Sequence, residues 1–585
     1  MPEYLAPGVY VEETSFRAKS IEGVGTSTTA FVGPTRKGPF RTDVDAHETP
    51  ELLTSYGDFE RIYGGYADLS LGAGVAATNY LAHAVLAFFN EGGSRLYVSR
   101  AVGAGAVAAT AQVSADGVPA AEEIFFVCRS PGTLGNGRVA VREIVSPAAA
   151  TTMASAPAGT LLLTNAVGGV TQHVKVGSAW HSASNPADPA EDAAALAAAT
   201  PRLVTLSVVA IDADGSVATY EGLGYDPTHP NWVGHAMSET PSRRSDHLQN
   251  AFAIRIGGSI AALALHQALF AGAVANAQGQ LERSYALTGG LDGAAPVAAN
   301  YALALGEIAS LEDVSIVAAP GSQAYAEAQA INGLLISHAE ARRAYRIAVL
   351  DTPAQQTPGQ VRTLRGLMDS TYAAIYYPWV VVPNPNARPG RDDIPREILL
   401  PPSGFVCGIY ARNDVQRGVF KAPANEVVRG ALRFEIDVNF GQQELLNPLG
   451  VNCLRLLSGR GYRVWGARLA SSDPEFKYVN VRRYFAYLEA SIDRGTQWAV
   501  FEPNGERLWA NVRQTISDFL YNEWRNGALL GSTTEEAFFV RCDRSTMTQN
   551  DLDNGRLICL IGVAVIKPAE FVIFRIGQKT ADARA

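Results

Sequence analysis

The stretch GVAATNYLAHAVLAFFNEGGSRLYVSRA, Gly74 to Ala101, sets the architecture. Apolar residues recur at Leu81, Val85 and Phe88 or Phe89, the spacing of one helical face. The pattern stops at Gly92 and Gly93, which can take the left-handed conformation that closes a helix, and RLYVSRA then reads as a strand. Helix, glycine cap and strand in succession form one period of an α/β fold. The same alternation returns downstream in DVSIVAAPG (313–321), HAEARRAYRIAVLD (338–351) and AAIYYPWVVV (373–382), so a largely parallel sheet covered by helices is expected.

Outward from this core the character changes. Between about Val102 and Thr240 the chain is rich in Ala, Gly, Ser, Thr and Pro. Short alternating runs such as EIFFVCR (123–129) and GRVAVREIV (137–145) are separated there by turn signals, which predicts an inserted, mostly β domain. After NAFAIRIGG (250–258) the α/β pattern resumes, with a buried helix expected within Gly257–Ala277. Near the C-terminus, EPNGERLWANVRQTISDFLYNEWRNG (502–527) carries Leu508, Val512, Ile516, Phe519 or Leu520, and Trp524 at helical spacing, with Asn504 as N-cap and Gly527 as stop. Three apolar runs follow, EAFFVRCD (536–543), GRLICLIGVAVI (555–566) and EFVIFRIG (570–577), and together they read as a β-meander. The N-terminal PGVYVEE (7–13) reads as a lone strand, followed by the tether SFRAKSIEGVGTSTT (15–29), a candidate hinge.

Composition narrows the function. At 585 residues the chain outgrows a single core, and about three or four domains are expected. A net charge of −9 without a long basic run argues against nucleic acid as a partner. Five widely spaced cysteines, Cys128, Cys407, Cys453, Cys542 and Cys559, suit reduced core thiols. MPEYLAPGVYVEE offers no basic region before an apolar one, so secretory export is not expected. His266 and Gln267 interrupt the most apolar window, so no membrane insertion is expected either.

Catalysis finds little footing. The nine histidines all lie at or before His338, so the ordered C-terminal region lacks the commonest general base. GTSTTA (25–30) has the look of a nucleophile loop but precedes every histidine. GAGVAA (72–77) fits a relaxed dinucleotide fingerprint without its flanking strand or acid; glycines easing a loop into a helix are the simpler account. Asp226, His229 and His235 share one loop that would suit a metal only with further ligands. Tyr372, Tyr376, Tyr377 and Trp379 lack interleaved basic residues, so packing is preferred to base stacking. No catalytic, cofactor or metal residue is assigned.

A dozen stretches in order, YLAPGVYVEE, FVGPTRKGPF, FFNEGGSRLYVSR, SPGTLGNGRVAV, LTGGLDG, IYYPWVVV, PPSGFVCGIYARNDVQRGVFKAPANE, LGVNCLRLLSGRGYRVWGARL, YVNVRRYFAYLEASID, VFEPNGERLWANVRQTISDFL, GALLGSTTEEAFFVRCD and KPAEFVIFRIGQ, resemble the sheath protein of contractile phage tails and phage-tail-like injection systems. The resemblance covers both ends and most of the middle. It is weakest between about Gly103 and Thr240, where such sheaths carry variable outward insertions.

It implies a structural protein without a catalytic site. Such subunits are assembled in the bacterial cytoplasm into a phage tail or a tail-like particle. They form a helical stack of six-subunit rings around an inner tube protein, bounded by baseplate and terminal cap proteins, and contraction drives the tube through a target envelope. The implied fold is α/β with α+β parts: a core of subtilisin-like topology, a β-rich insertion, a C-terminal domain facing the tube, and extended arms. On this sequence the division is 1–30 N-terminal arm and linker, 31–101 and 246–400 core, 102–245 insertion, 401–568 C-terminal domain and 569–585 C-terminal arm. The arms would complete sheets of neighbouring copies through Val9, Tyr10, Val11, Glu12 and Glu13, and through Phe571, Val572, Ile573, Phe574, Arg575 and Ile576. Glu506, Arg507, Arg513 and Asp518 would face the tube. The competing reading is an α/β hydrolase with an active subtilisin-like core, its terminal strands closing its own sheet; an adhesin-like surface protein would need a secretion signal.

Overall fold

Six parallel strands form the centre of the molecule, in the order Leu96–Arg100, Thr29–Gly33, Ile316–Ala318, Ile347–Asp351, Ala373–Tyr377 and Val451–Leu457. Leu52–Leu53 pairs antiparallel at one edge, and Gly461–Val464 with Glu426–Val427 closes the other. The computed structural model describes residues 20–41, 50–72, 74–113, 123–166, 169–276 and 280–576. Successive side chains of a strand point to opposite faces, and here both faces are covered. Phe31, Ile347, Val349, Ala374 and Tyr376 pack against the helices Tyr80–Glu91 and Ser403–Arg417. Ala30, Val32, Ala348, Leu350, Ile375 and Tyr377 pack against Ala298–Ala309, Ala328–Glu340 and Pro358–Arg365. This is why the strands read as unbroken apolar runs.

The opening stretch folds as its pattern predicts. The helix ends at Glu91, Gly92 adopts φ 108°, and its N–H donates to the carbonyl oxygens of Phe88 and Phe89. The aromatic cluster is core: the hydroxyls of Tyr376 and Tyr410 are 2.6 Å apart, Tyr377 donates to the Gln356 carbonyl and Trp379 Nε1 to the Thr352 carbonyl.

The β-rich unit extends beyond residue 245. Arg202–Ile211 and Arg138–Pro147 pair antiparallel at the centre of an eight-stranded sheet that also contains Leu281–Ala286. Phe252–Ile256 joins Ile124–Cys128 in a three-stranded one. NAFAIRIGG therefore does not return to the core, and the segment to about residue 287 shares one apolar cluster with the insertion. The helix expected in 257–277 is real but short, Ala262–Phe270, and Gly272 at φ 70° turns the chain into Val274–Ala275.

The tether reading fails for the described part of 15–29. Ile21 is buried among Leu488, Trp509 and Ile516, Val24 N donates to Ser491 Oγ, and Thr26 Oγ1 donates to Asp414 Oδ2 at 2.6 Å. Arg483, itself paired with Asp414, donates to the Thr26 carbonyl. Thr29 already belongs to the central sheet. Apolar Ile21 and Val24 have a prepared surface here, so residues 20–29 are docked against the C-terminal helices and do not hang free as a tether.

In the C-terminal region the helices Val479–Gly495 and Glu506–Arg525 support a two-stranded ribbon, Phe538–Arg541 with Leu560–Val563. Asn504 is not the N-cap. Gly505 holds that position, and Asn504 Oδ1 instead accepts from Trp509 Nε1 at 2.7 Å. A short helix, Gln549–Asp553, intervenes before Gly555 at φ 67°. The third run of the expected meander forms no strand, because no ladder partner among the described residues reaches 571–576.

Candidate assembly site

Past the ribbon, the chain runs alongside the start of helix Val479–Gly495, where Asn480 Nδ2 donates to the Ile566 carbonyl. It is then gripped at one residue. Glu570 accepts from Arg468 Nε and Nη2 at 2.7 and 2.6 Å, from Asn447 Nδ2 at 2.8 Å and from the Tyr478 hydroxyl at 2.9 Å. A backbone bridge between Arg468 and Tyr478 holds two of these donors together, and Arg468 Nη1 also donates to the Asn447 carbonyl. Burial alone would raise the Glu570 carboxyl, but the hydrogen bonds from Arg468, Asn447 and Tyr478 outweigh it and hold it below the ordinary carboxylate range. A bidentate guanidinium with two further donors fixes one carboxylate orientation.

Beyond this clasp nothing among the described residues covers the next ones. Phe571, Val572, Ile573, Phe574 and Ile576 are 71, 67, 79, 83 and 95% exposed, and Arg575 is exposed too. Soluble proteins rarely leave such contiguous apolar surface uncovered. Alternation puts Phe571 and Ile573 on one face of an extended segment, with Val572, Phe574 and Ile576 on the other, so both faces are apolar.

The ribbon supplies a matching deficit. Among the described residues no third strand joins Phe538–Arg541 and Leu560–Val563. Isolated two-stranded pairs are marginal in water; this one rests on helix Glu506–Arg525 while Phe539 and Leu560 remain about half exposed. Phe539 lies opposite Gly562 in the register, and its ring fills the space a side chain would take there: an added Cβ would sit 2.2 Å from it.

The other residues singled out by sequence fall as follows. Val9, Tyr10, Val11, Glu12 and Glu13 lie outside the described residues. Glu506, Arg507, Arg513 and Asp518 are all exposed, outside the buried stripe of Leu508, Val512, Ile516 and Phe519; Asp518 accepts from Gln514 at 2.7 Å. His229 Nδ1 accepts from Asn231 N, and among the described residues no three metal-ligating side chains converge. Gly72 and Gly74, at φ 63° and 84°, lie at the turn of a hairpin, Leu69–Leu71 with Val75–Ala77, and not at a helix start. No helix among the described residues is long and apolar enough to cross a membrane. Sequence reasoning missed Asn447, Arg468 and Tyr478. The available signal was Glu570 itself, a lone acid inside an apolar run, which demands partners if it is buried.

Known proteins share this architecture. Family models described as the phage tail sheath protein central domain and the phage tail sheath C-terminal domain match residues 294–468 and 471–579. A tail sheath protein of Vibrio phage KVP40 is 23% identical over 32% of this chain and 28% of its own length. A putative prophage major tail sheath protein of Pseudomonas aeruginosa is 26% identical over 45% of this chain and 64% of its own length. The chain thus spans less than two thirds of either relative. The helical sheath of the anti-feeding prophage, solved in its contracted state, aligns over 99% of this chain and all of its own at 21% identity and TM-score 0.52, a likeness of fold. The second half of the chain thus carries the central and C-terminal domains of the phage tail sheath family in order, on a mixed α/β multidomain fold shared with a contractile sheath along the whole chain.

Proposed function

We propose that the chain is the repeating structural subunit of a contractile sheath, joined to its neighbours by strands donated from its two ends. The observation that carries this reading is the contrast at Glu570: a clasped root followed by an exposed segment that is apolar on both faces and has no partner among the described residues. The ribbon Phe538–Arg541 with Leu560–Val563 of another copy is the acceptor, since it offers unpaired edges. Val9–Glu13 is the second donor. Covering each large apolar side chain contributes roughly 1.5–3 kcal/mol, against about 1–2 kcal/mol for each backbone residue ordered. A single joint is therefore marginal. Joints repeated around a ring and along a helix gain by effective concentration.

In this reading the subunits stack as six-membered rings around an inner tube, between a baseplate and a terminal cap, and shortening drives the tube through a target envelope. The exposed side of helix Glu506–Arg525, with Arg507, Arg513 and Asp518, faces the tube. The particle is a phage tail or a tail-like injection system assembled in the bacterial cytoplasm. The core follows the subtilisin-like topology without the enzyme. In the core, Ser403 Oγ donates to Asp351 Oδ2 at 2.6 Å, both buried, with no imidazole among the partners of either; the one hydroxyl–imidazole–carboxylate line among the described residues, Thr164 Oγ1 2.8 Å from His173 Nε2 and His173 Nδ1 2.6 Å from Glu191 Oε2, lies in the β-rich insertion and not in that core. The family relatives lend no support to a hydrolase.

Two variants test the joint. One ends after Glu570, keeping the clasp. The other places proline at both Ile573 and Phe574; successive N–H groups point to opposite edges, so one needed donor is lost whichever edge pairs. Negative-stain imaging is expected to show striated cylinders for the unmodified chain, and only monomers of unchanged melting temperature for both variants. Cylinders of ordinary length from both would overturn the proposal.

A further inference from the structure

Cys542 and Cys559 extend the ribbon's register by one step past the Arg541 and Leu560 pair, which places them directly opposite each other. Opposed residues of antiparallel strands have Cα atoms about 4.5–5.5 Å apart, inside the window of about 4.4–6.8 Å that a disulfide requires. Both side chains pack into the same apolar cluster beneath the ribbon, near enough for each thiol to influence the other's ionisation. Arg513, on the helix below, is near enough for its charge to favour the thiolate of either. The remaining cysteines lie apart, Cys128 in the insertion and Cys407 and Cys453 on opposite faces of the central sheet. All five are free thiols here.

We propose that Cys542 and Cys559 are an oxidisable pair whose disulfide staples the ribbon at the end of its strands. The bond forms within one subunit and does not depend on the assembly reading. A small-molecule disulfide of the glutathione type is the oxidant. One protein thiolate attacks a glutathione sulfur and expels the first glutathione thiolate. The second protein thiolate then attacks the protein sulfur of the mixed disulfide and expels the other. Two cysteine thiols lose two electrons and two protons; one glutathione disulfide becomes two glutathione thiols. Cys559, partly exposed, is the sulfur the oxidant reaches, whereas Cys542 is buried. Burial pushes the Cys559 thiol up to about 12, so its thiolate is scarce at neutral pH and closure is slow. Between pH 7 and 9 the rate is expected to rise about tenfold per unit.

The test incubates the folded full-length chain with oxidised glutathione, blocks free thiols and maps peptides without reduction. The expected result is a Cys542–Cys559 linked peptide, two glutathione thiols released per chain, and free Cys128, Cys407 and Cys453. Amide exchange in 538–541 and 560–563 is expected to slow by about ten- to a hundredfold on closure. Cys542→Ser is expected to trap glutathione on Cys559, and Cys559→Ser to take up none. A mixed disulfide that persists in the unmodified chain, or linkage involving another cysteine to the same extent, would overturn the proposal without touching the assembly reading.

Discussion

Glu570 joins a folded body to an uncovered tail, and its chemistry says how firmly. Its pKa in the folded chain lies below the ordinary value of about 4.3. Its contribution is therefore complete above that value and is lost as the pH falls through the folded pKa. Glu570→Gln keeps the shape but removes the charge opposite Arg468, whose side chain is 8% exposed. The group is partly solvated, so the expected loss is modest, about 1 kcal/mol at pH 7. Urea unfolding at pH 7 and pH 3 checks it: the two proteins are expected to differ at pH 7 and the difference to shrink toward pH 3 as the carboxylate is protonated. An equal difference at both would mean that the side chain's shape matters and its charge does not. The sequence reading passed over Glu570. Its partners come from positions 447, 468 and 478, about a hundred residues upstream, and local periodicity carries no record of which distant arginine turns back to meet it.

Between elements, the tightest joint is the crossing of helices Tyr80–Glu91 and Ser403–Arg417. Gly404 and Gly408, one turn apart, let the backbones meet: an added Cβ would lie 2.7 Å from Ala84 Cβ at the first and 2.6 Å from the Phe88 carbonyl oxygen at the second. Arg412 then locks the pair by donating to buried Glu91 at 2.5 Å. Gly408→Ala sets two effects against each other. Alanine favours a helix over glycine by about 1 kcal/mol, while overpacking against a fixed backbone costs about 1–3 kcal/mol. The obstruction includes main chain that cannot swing aside, so net destabilisation is expected, measurable as a lower urea midpoint. A neutral or raised midpoint would show that the helices can part without penalty. The first of these helices was legible because its end carries glycine, and Gly92 takes positive φ; the second ends the same way at Gly418, but its near-continuous burial leaves no single apolar face to read. Asn504 misled because its side chain has a stronger claimant in the Trp509 indole. The last apolar run misled in another way: its pattern is that of a strand, but a strand exists only when something pairs with it.

At the scale of the whole molecule, the insertion is a second body with its own core, and its far boundary was the least legible feature. Phe252–Ile256 and Leu281–Ala286 look like core strands because alternation is the same in any sheet. Only pairing with Ile124–Cys128 and Arg138–Pro147, more than a hundred residues earlier, assigns them. The two ends of this body are neighbours: Val107 N donates to the Leu291 carbonyl at 3.0 Å and Leu291 N to the Val107 carbonyl at 2.9 Å. Apart from Leu248, the apolar clusters on both faces of the central sheet draw nothing from the described residues of 108–290. The insertion meets the core chiefly through polar contacts, such as Arg36 with Asp214 and Arg100 with the Pro131 carbonyl. Removing it leaves those arginines to water, not buried and unpaired. Replacing residues 108–290 with an Asn-Gly turn, which suits two antiparallel ends already exchanging hydrogen bonds, is therefore expected to give a folded core. Circular dichroism should show helix enriched relative to strand with a single cooperative melt, and the shortened chain should still build cylinders, narrower in outline. A shortened chain that folds but never polymerises would assign the insertion a part in assembly; one that loses cooperative melting would show that the two bodies are a single folding unit.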